Sequence, residues 1–86
     1  MIVSTVTHLT QTPSAAAELA FRLGTKDPAA FDLSAACAGF SYGLAIAQDL
    51  IRGGSATRVL LVGVEKLSDI TDPTDRGTAF IFGDGA

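Results

Sequence analysis

A chain of 86 residues holds one domain at most, and folding at this size hides only about 60–65% of the surface that the unfolded chain exposes. With 48% hydrophobic and 17% charged residues the composition is that of an interior, so the sequence is expected to belong to a longer protein rather than to stand alone. Six Lys and Arg against nine Asp and Glu give a net charge of −3, and the basic residues are scattered singly, which excludes a stripe for nucleic-acid phosphates.

Ile2 to Val6 is β-rich and short and predicts a strand, followed by a polar connection through Thr7, His8, Thr10 and Gln11. Residues 1–7 have neither the basic start nor the long apolar run of a signal peptide. A helix follows, with Thr12 as its expected cap and Pro13 in its first turn. Ala16, Leu19, Ala20 and Leu23 share one face, Glu18 stands four residues before Arg22, and Gly24 is the natural stop. Phe31, Leu33 and Ala35 alternate with Asp32 and Ser34 in a short strand, and the small residues Ala36-Cys37-Ala38-Gly39 then make a sharp turn.

From about Gly39 to Arg52 the apolar positions Phe40, Tyr42, Leu44, Ile46, Ala47, Leu50 and Ile51 wrap most of a helix's circumference, so this helix is expected to be buried nearly all round. Gly53 and Gly54 end it, with Arg52 set against the negative end of its dipole. Arg58 to Val64 reads as a continuous apolar strand of the kind covered on both faces, and Thr78 to Phe82 as another. The longest apolar run, Val59 to Val64, falls far short of the roughly 20 residues of a membrane span. The predicted order is β-α-β-α-β-β, an α/β fold, with a polar loop at Ser68 to Gly77 broken by Asp72-Pro73 and Arg76-Gly77.

Strand, tight turn with one reactive side chain, then helix is the arrangement of a nucleophile elbow, here spanning residues 34–40 around Cys37. The flanking alanines and glycine let the backbone bend and let a substrate carbonyl approach the sulfur, while unpaired N–H groups at the helix start favour a thiolate and an oxyanion. A helix terminus supplies only about 0.3–1 kcal/mol against about 1.4 kcal/mol per pKa unit. A neighbouring base or cation is therefore expected to share the activation, and as a base this chain offers His8 alone. A lone cysteine is also often just a small buried apolar residue; from the residues alone both readings stay open. One cysteine forms no internal disulfide, and a cytoplasmic location in reducing surroundings is expected.

Asp69, Asp72 and Asp75 recur at every third residue, whereas a calcium loop needs alternate positions, a glycine and a closing glutamate. No metal site is expected there, and the loop reads as solvated, with Asp75 steadying Arg76. Gly83-Asp84-Gly85 lacks the lysine and hydroxyl of a phosphate-binding loop and reads as permissive backbone.

Asp32-Leu33-Ser34-Ala35-Ala36-Cys37-Ala38-Gly39-Phe40 resembles the nucleophile segment of the ketoacyl-ACP synthase III family, enzymes of thiolase-like fold. The resemblance runs through Thr7-His8 and Thr12 to Ala16, Gly63 with Glu65-Lys66-Leu67, Asp72 to Thr78, and Ile81 to Ala86, and so covers essentially the whole chain. The Cys37 segment alone also suits thiolases; the Asp72 and Phe82 segments point to the type III synthases. The resemblance implies residues 1–86 to be part of the N-terminal half of a thiolase-like fold, incomplete on its own.

It further implies Cys37 as the acyl-accepting nucleophile for an acyl-CoA primer, which then condenses with malonyl-ACP to a 3-oxoacyl-ACP, with no cofactor. By the same resemblance Arg76 packs against the adenine of CoA, Leu67 and Phe82 line the acyl pocket, and Thr12 reaches into the partner's pocket across a homodimer. The family completes its site with a histidine and an asparagine far downstream of the cysteine. This chain has no asparagine, and His8 precedes Cys37 and reads as a loop hydrogen bonder. The 86 residues alone are thus expected neither to fold robustly nor to turn over substrate. The alternatives are a polyketide-priming synthase of the same fold and a non-catalytic, dimerising remnant.

Overall fold

A computed structural model describes all 86 residues. The elements are β1 (Ile2–Ser4), α1 (Ala15–Arg22), β2 (Phe31–Leu33), α2 (Gly39–Arg52), β3 (Leu61–Gly63), β4 (Glu65–Lys66) and β5 (Asp84–Gly85), with single 3₁₀ turns at Ala36–Ala38 and Leu67–Asp69. The first three strands form a parallel sheet in the order β2-β1-β3, and β4 pairs antiparallel with β5. The α/β architecture expected from the sequence is therefore present. No helix is long and apolar enough to cross a membrane.

β1 is the middle strand, and its Val3 lies opposite Asp32 of β2 and Val62 of β3. Side chains alternate across a strand, so Val3, Asp32 and Val62 face one way and Ile2, Ser4, Leu33, Leu61 and Gly63 the other. α1 covers the first face and α2 the second, the doubly wound arrangement that right-handed β-α-β crossovers in opposite directions produce. Ile2 and Val3 are each 1% exposed, the largest side chains buried completely. α2 comes down on the sheet through Gly39 and Gly43, both buried. A Cβ on Gly39 would collide with Ser4 Oγ, and one on Gly43 would sit 2.6 Å from Leu61 Cδ1.

Several boundaries differ from the sequence-based expectation. β1 stops at Ser4, and the expected strand from Arg58 to Val64 contracts to Leu61–Gly63, although Ile2 N still donates to Leu60 O at 2.9 Å and Val64 N to Ser4 O at 3.1 Å. The cap of α1 is Ser14 rather than Thr12: Ser14 Oγ accepts from Ala17 N at 3.1 Å, and Pro13 lies ahead of the helix. Two further N–H groups of the first turn, on Ala15 and Ala16, donate to the Asp32 carboxylate at 2.8 Å each. At the other end the stop is as expected, Gly24 taking φ +66° while Thr25 N donates to Ala20 O at 3.1 Å and Gly24 N to Phe21 O at 3.0 Å. Ala16 and Ala20 are buried, but Leu23 of the same stripe is exposed.

The largest correction is Thr78 to Phe82, which is not a strand but a series of turns. Thr78 N and Ala79 N donate to Asp75 O at 3.2 and 2.8 Å, Ile81 N donates to Thr78 O at 3.1 Å, and Asp75 Oδ2 accepts from the Thr78 hydroxyl at 3.0 Å. These local bonds coil the apolar run, and Phe80 is left 86% exposed. α2 matches its expected bounds but is buried on one stripe only; Tyr42, Leu44 and Ile51 are exposed, and Phe40, half exposed, lies against Gly63 of β3.

Because Asp32 satisfies two N–H groups that the helix itself cannot, Asp32→Ala in the complete protein is expected to cost about 1–3 kcal/mol of stability. Asp32→Asn, keeping one acceptor, loses less. Urea denaturation of the three proteins checks this, and equal midpoints would contradict it.

Candidate active site

β2 delivers the chain to the turn that carries Cys37. Thr5 N holds the end of β2 by donating to Leu33 O at 3.2 Å. Ala35 then takes φ −144° and ψ 26°, and Ala36 takes φ +45°, a left-handed conformation that a residue with a side chain rarely adopts. The bend passes through one 3₁₀ turn, closed by Ala38 N donating to Ala35 O at 3.1 Å, straight into α2. No side chain caps the N-terminus of the turn or of α2. Within these 86 residues Cys37 is exposed on this turn rather than packed as a small apolar residue.

Cys37 borders two spaces, which share Ala36, Cys37 and Glu65 in their walls. A cavity of about 170 Å³ is lined by Val6, Ala36, Cys37, Glu65, Leu67 and Phe82, Glu65 being the one polar member. A more open cleft on the α2 side is lined by Ser4, Phe40, Gly63 and Val64 among others. A water takes about 30 Å³ of the liquid, so this mostly apolar space has room for a short aliphatic chain. Its walls come from four separate places: the end of β1, the turn, the start of β4 with the residue after it, and the turn before β5.

Of the residues singled out in the sequence, Cys37, Leu67 and Phe82 share this cavity. Arg76 and Thr12 do not line it; both are exposed, Arg76 on the loop after the Leu67–Asp69 turn and Thr12 on the connection before α1. Asp75 does not steady Arg76, because its carboxylate accepts instead from Gly77 N at 2.8 Å and from the Thr78 hydroxyl. His8 is a loop hydrogen bonder, its Nε2 lying 3.3 Å from both Pro13 O and Thr10 Oγ1. It borders spaces on the α1 side and beside Thr7, not the Cys37 cavity. No cationic or imidazole side chain lines the space around Cys37 in these 86 residues.

The three aspartates of the loop are engaged separately. Asp69 pairs with Lys66 at 2.8 Å, which raises the lysine's pKa through the hydrogen bond and the charge together. Asp72 accepts from Thr74 Oγ1 at 2.7 Å and Thr74 N at 2.9 Å, and these bonds hold its carboxyl below the ordinary value. No group of three or more His, Cys, Asp or Glu is placed to hold a metal ion.

Asp84 closes the loop on itself by accepting from Ser68 Oγ at 2.7 Å and Ser68 N at 2.9 Å. The Ser68 hydroxyl, then its N–H, hold the Asp84 carboxyl below the ordinary 3.8, with Lys66 adding a little. A depressed folded-state pKa means that the clasp contributes fully above the unfolded value and loses its contribution as pH falls through the folded one. A carboxyl ¹³C titration is expected to place the Asp84 midpoint below the ordinary 3.8; a midpoint at or above that value would contradict the clasp.

Two residues with structural weight at the site escaped the sequence reading. Asp32 is an acid in an apolar strand, and the helix opposite its face was the available clue. Glu65, whose carboxylate receives Thr5, Val6 and Thr7 from the end of β1, left no local trace at all.

A family model described as 3-oxoacyl-[acyl-carrier-protein (ACP)] synthase III matches residues 31–86. The β-ketoacyl-[acyl-carrier-protein] synthase III of Streptomyces glaucescens is 63% identical over all 86 residues, which are 26% of that protein; a synthase III of Streptomyces coelicolor is 60% identical, with 25% of its length covered. Among solved structures, 98% of the chain superposes on 26% of the 3-oxoacyl-(acyl carrier protein) synthase III of Pseudomonas aeruginosa with a TM-score of 0.93 and 48% identity. It superposes equally, at 44% identity and over 25% of that chain, on a priming β-ketosynthase from a polyketide biosynthetic pathway. The chain thus spans about a quarter of the length of the relatives it matches.

Proposed function

The chain belongs to the 3-oxoacyl-[acyl-carrier-protein] synthase III family and carries part of the N-terminal half of its thiolase-like fold, and from that premise we propose that it supplies the nucleophile and acyl cavity of a condensing acyltransferase. The observation that carries this reading is an exposed cysteine on a strand-to-helix turn, opening directly onto an apolar cavity walled by Leu67 and Phe82.

In the proposed first step Cys37 Sγ attacks the thioester carbonyl of an acyl-CoA. The carbon–sulfur bond to CoA breaks, the acyl chain lies in the cavity, and CoA leaves as the thiol once its sulfur has taken a proton. In the second step malonyl-ACP loses carbon dioxide, and the electron pair released attacks the acyl carbonyl. Cys37 departs as thiolate and the product is a 3-oxoacyl-ACP. The Cys37 backbone N–H, at a helix start with no capping side chain, is suited to donate to the oxyanion of each tetrahedral intermediate. No cofactor enters these steps.

Arg76, exposed on its loop, is proposed to stack its guanidinium on the CoA adenine. Thr12, exposed ahead of α1, is proposed to reach into the acyl cavity of the partner in a homodimer working in the cytoplasm. The histidine and asparagine that complete the family's site have no counterpart beside Cys37, so the 86 residues by themselves are expected to give no turnover. Incubating the complete protein and the 86-residue chain in parallel with acetyl-CoA and malonyl-ACP tests both statements. Carbon–carbon bond formation by the complete protein alone is the expected result, and a complete protein that forms none would sink the enzymatic reading in favour of a non-catalytic dimerising role.

The likeness to a polyketide-priming ketosynthase favours a second reading in which the same chemistry loads a different carrier. Competition between a fatty-acid and a polyketide carrier protein in the condensation assay separates the two.

A further inference from the structure

Three donors at the end of β1 converge on one carboxylate. Val6 N donates to Glu65 Oε1 at 3.0 Å and to Oε2 at 3.1 Å, Thr7 Oγ1 donates to Oε2 at 2.9 Å, and Thr5 Oγ1 donates to Oε2 at 3.2 Å. The hydroxyls are used a second time as acceptors: Thr7 Oγ1 receives Lys66 N at 2.9 Å and Thr5 Oγ1 receives Thr7 N at 3.2 Å. Thr5 and Thr7 are buried, so their hydroxyls need partners within the fold. Glu65 is the partner for both.

This clasp has a consequence for the cavity. With Thr5 and Thr7 turned into the fold, the alternation of the extended chain turns Val6 outward, onto the wall of the cavity that Cys37, Leu67 and Phe82 share. Glu65 begins β4, and Leu67 follows two residues later. One carboxylate therefore fixes the separation between the Val6 wall and the Leu67 wall.

We infer that Glu65 is a positioning residue that sets the width of the acyl cavity beside Cys37, and through it the length of acyl chain accepted. The inference rests on the acyl-cysteine reading above. Glu65 takes no part in the chemistry: its oxygens are occupied as acceptors, and no proton passes through it in either step.

The test is made in the complete protein, by comparing kcat/KM for acetyl-CoA and hexanoyl-CoA. Glu65→Ala frees the end of β1 and is expected to raise the hexanoyl-to-acetyl ratio by about tenfold, carried mainly by KM. Glu65→Gln keeps the length of the side chain and one acceptor oxygen, while its NH2 faces either Val6 N–H or the two hydroxyls, and is expected to shift the ratio less than Glu65→Ala does. Val6→Ala leaves the clasp intact, widens the cavity directly, and is expected to move the ratio in the same direction as Glu65→Ala; it decides the matter if Glu65→Ala does not fold. An unchanged ratio in Val6→Ala or in folded Glu65→Ala overturns the inference, as does a shift in Glu65→Gln equal to that in Glu65→Ala. If the unmutated protein transfers no acyl group, the functional reading itself fails; an active parent with unaltered ratios in the variants removes the Glu65 inference alone.

Discussion

Cys37→Ser in the complete protein is expected to reduce condensation by at least about 10³-fold while leaving the fold intact. The two side chains have nearly the same shape, and the sulfur is exposed on a turn closed by backbone bonds, chiefly Ala38 N to Ala35 O, that do not involve it. Stability is therefore expected to change by less than about 0.5 kcal/mol. What changes is the nucleophile: a serine hydroxyl is almost wholly protonated at neutral pH and needs a strong base beside it, and no such base lines the cavity within this chain. Steady-state condensation assays with a parallel melting curve check both halves. Retention of activity within about tenfold, with the fold intact, would show that the sulfur is not the acyl acceptor.

The second large effect is expected at Ala36, one residue before Cys37. Its φ of +45° is tolerable for alanine and favourable for glycine, but a branched Cβ collides with the neighbouring backbone there. Ala36→Val is expected to cost about 1–3 kcal/mol of stability or to force the turn out of shape. A displacement of the sulfur by about an ångström costs on the order of 10²-fold in rate. Ala36→Gly is expected to keep the geometry, with stability within about 1 kcal/mol of the parent. Melting temperature and kcat/KM measured on both variants decide this; valine and glycine behaving alike would mean that the left-handed turn does not position Cys37.

The parts of the fold that were legible in the sequence are those written in local pattern. Small residues between an alternating strand and an apolar helix placed the Cys37 turn, and Gly24 and Gly54 marked two helix ends, where they take the left-handed φ of +66° and +83° that lets a helix stop. Contacts between distant segments left no such trace. Thr12 and Ser14 are both capping residue types; it is at Ser14 that the chain brings Asp32 of β2 under Ala15 and Ala16. Glu65 meets Thr5, Val6 and Thr7 only because β1 is the middle strand and β4 leaves from its neighbour.

Other misreadings came from apolar runs. Thr78 to Phe82 has strand-forming composition, but Asp75 offers its carbonyl and carboxylate to the following residues and coils them. The apolar circumference of α2 reads as a helix buried nearly all round, whereas within these residues only its Gly39, Gly43 and Ala47 stripe is buried. Leu67 and Phe82 reached the list of cavity residues through family resemblance, and the fold brings both to Cys37.

The central claim is that Cys37 carries the acyl group, and peptide mass spectrometry of the complete protein after brief exposure to acetyl-CoA without malonyl-ACP tests it most directly. The account predicts one acetyl group, on the peptide containing Cys37 and released by hydroxylamine as a thioester is. An acetyl group found on another residue, or condensation proceeding with Cys37 unmodified throughout, would contradict it.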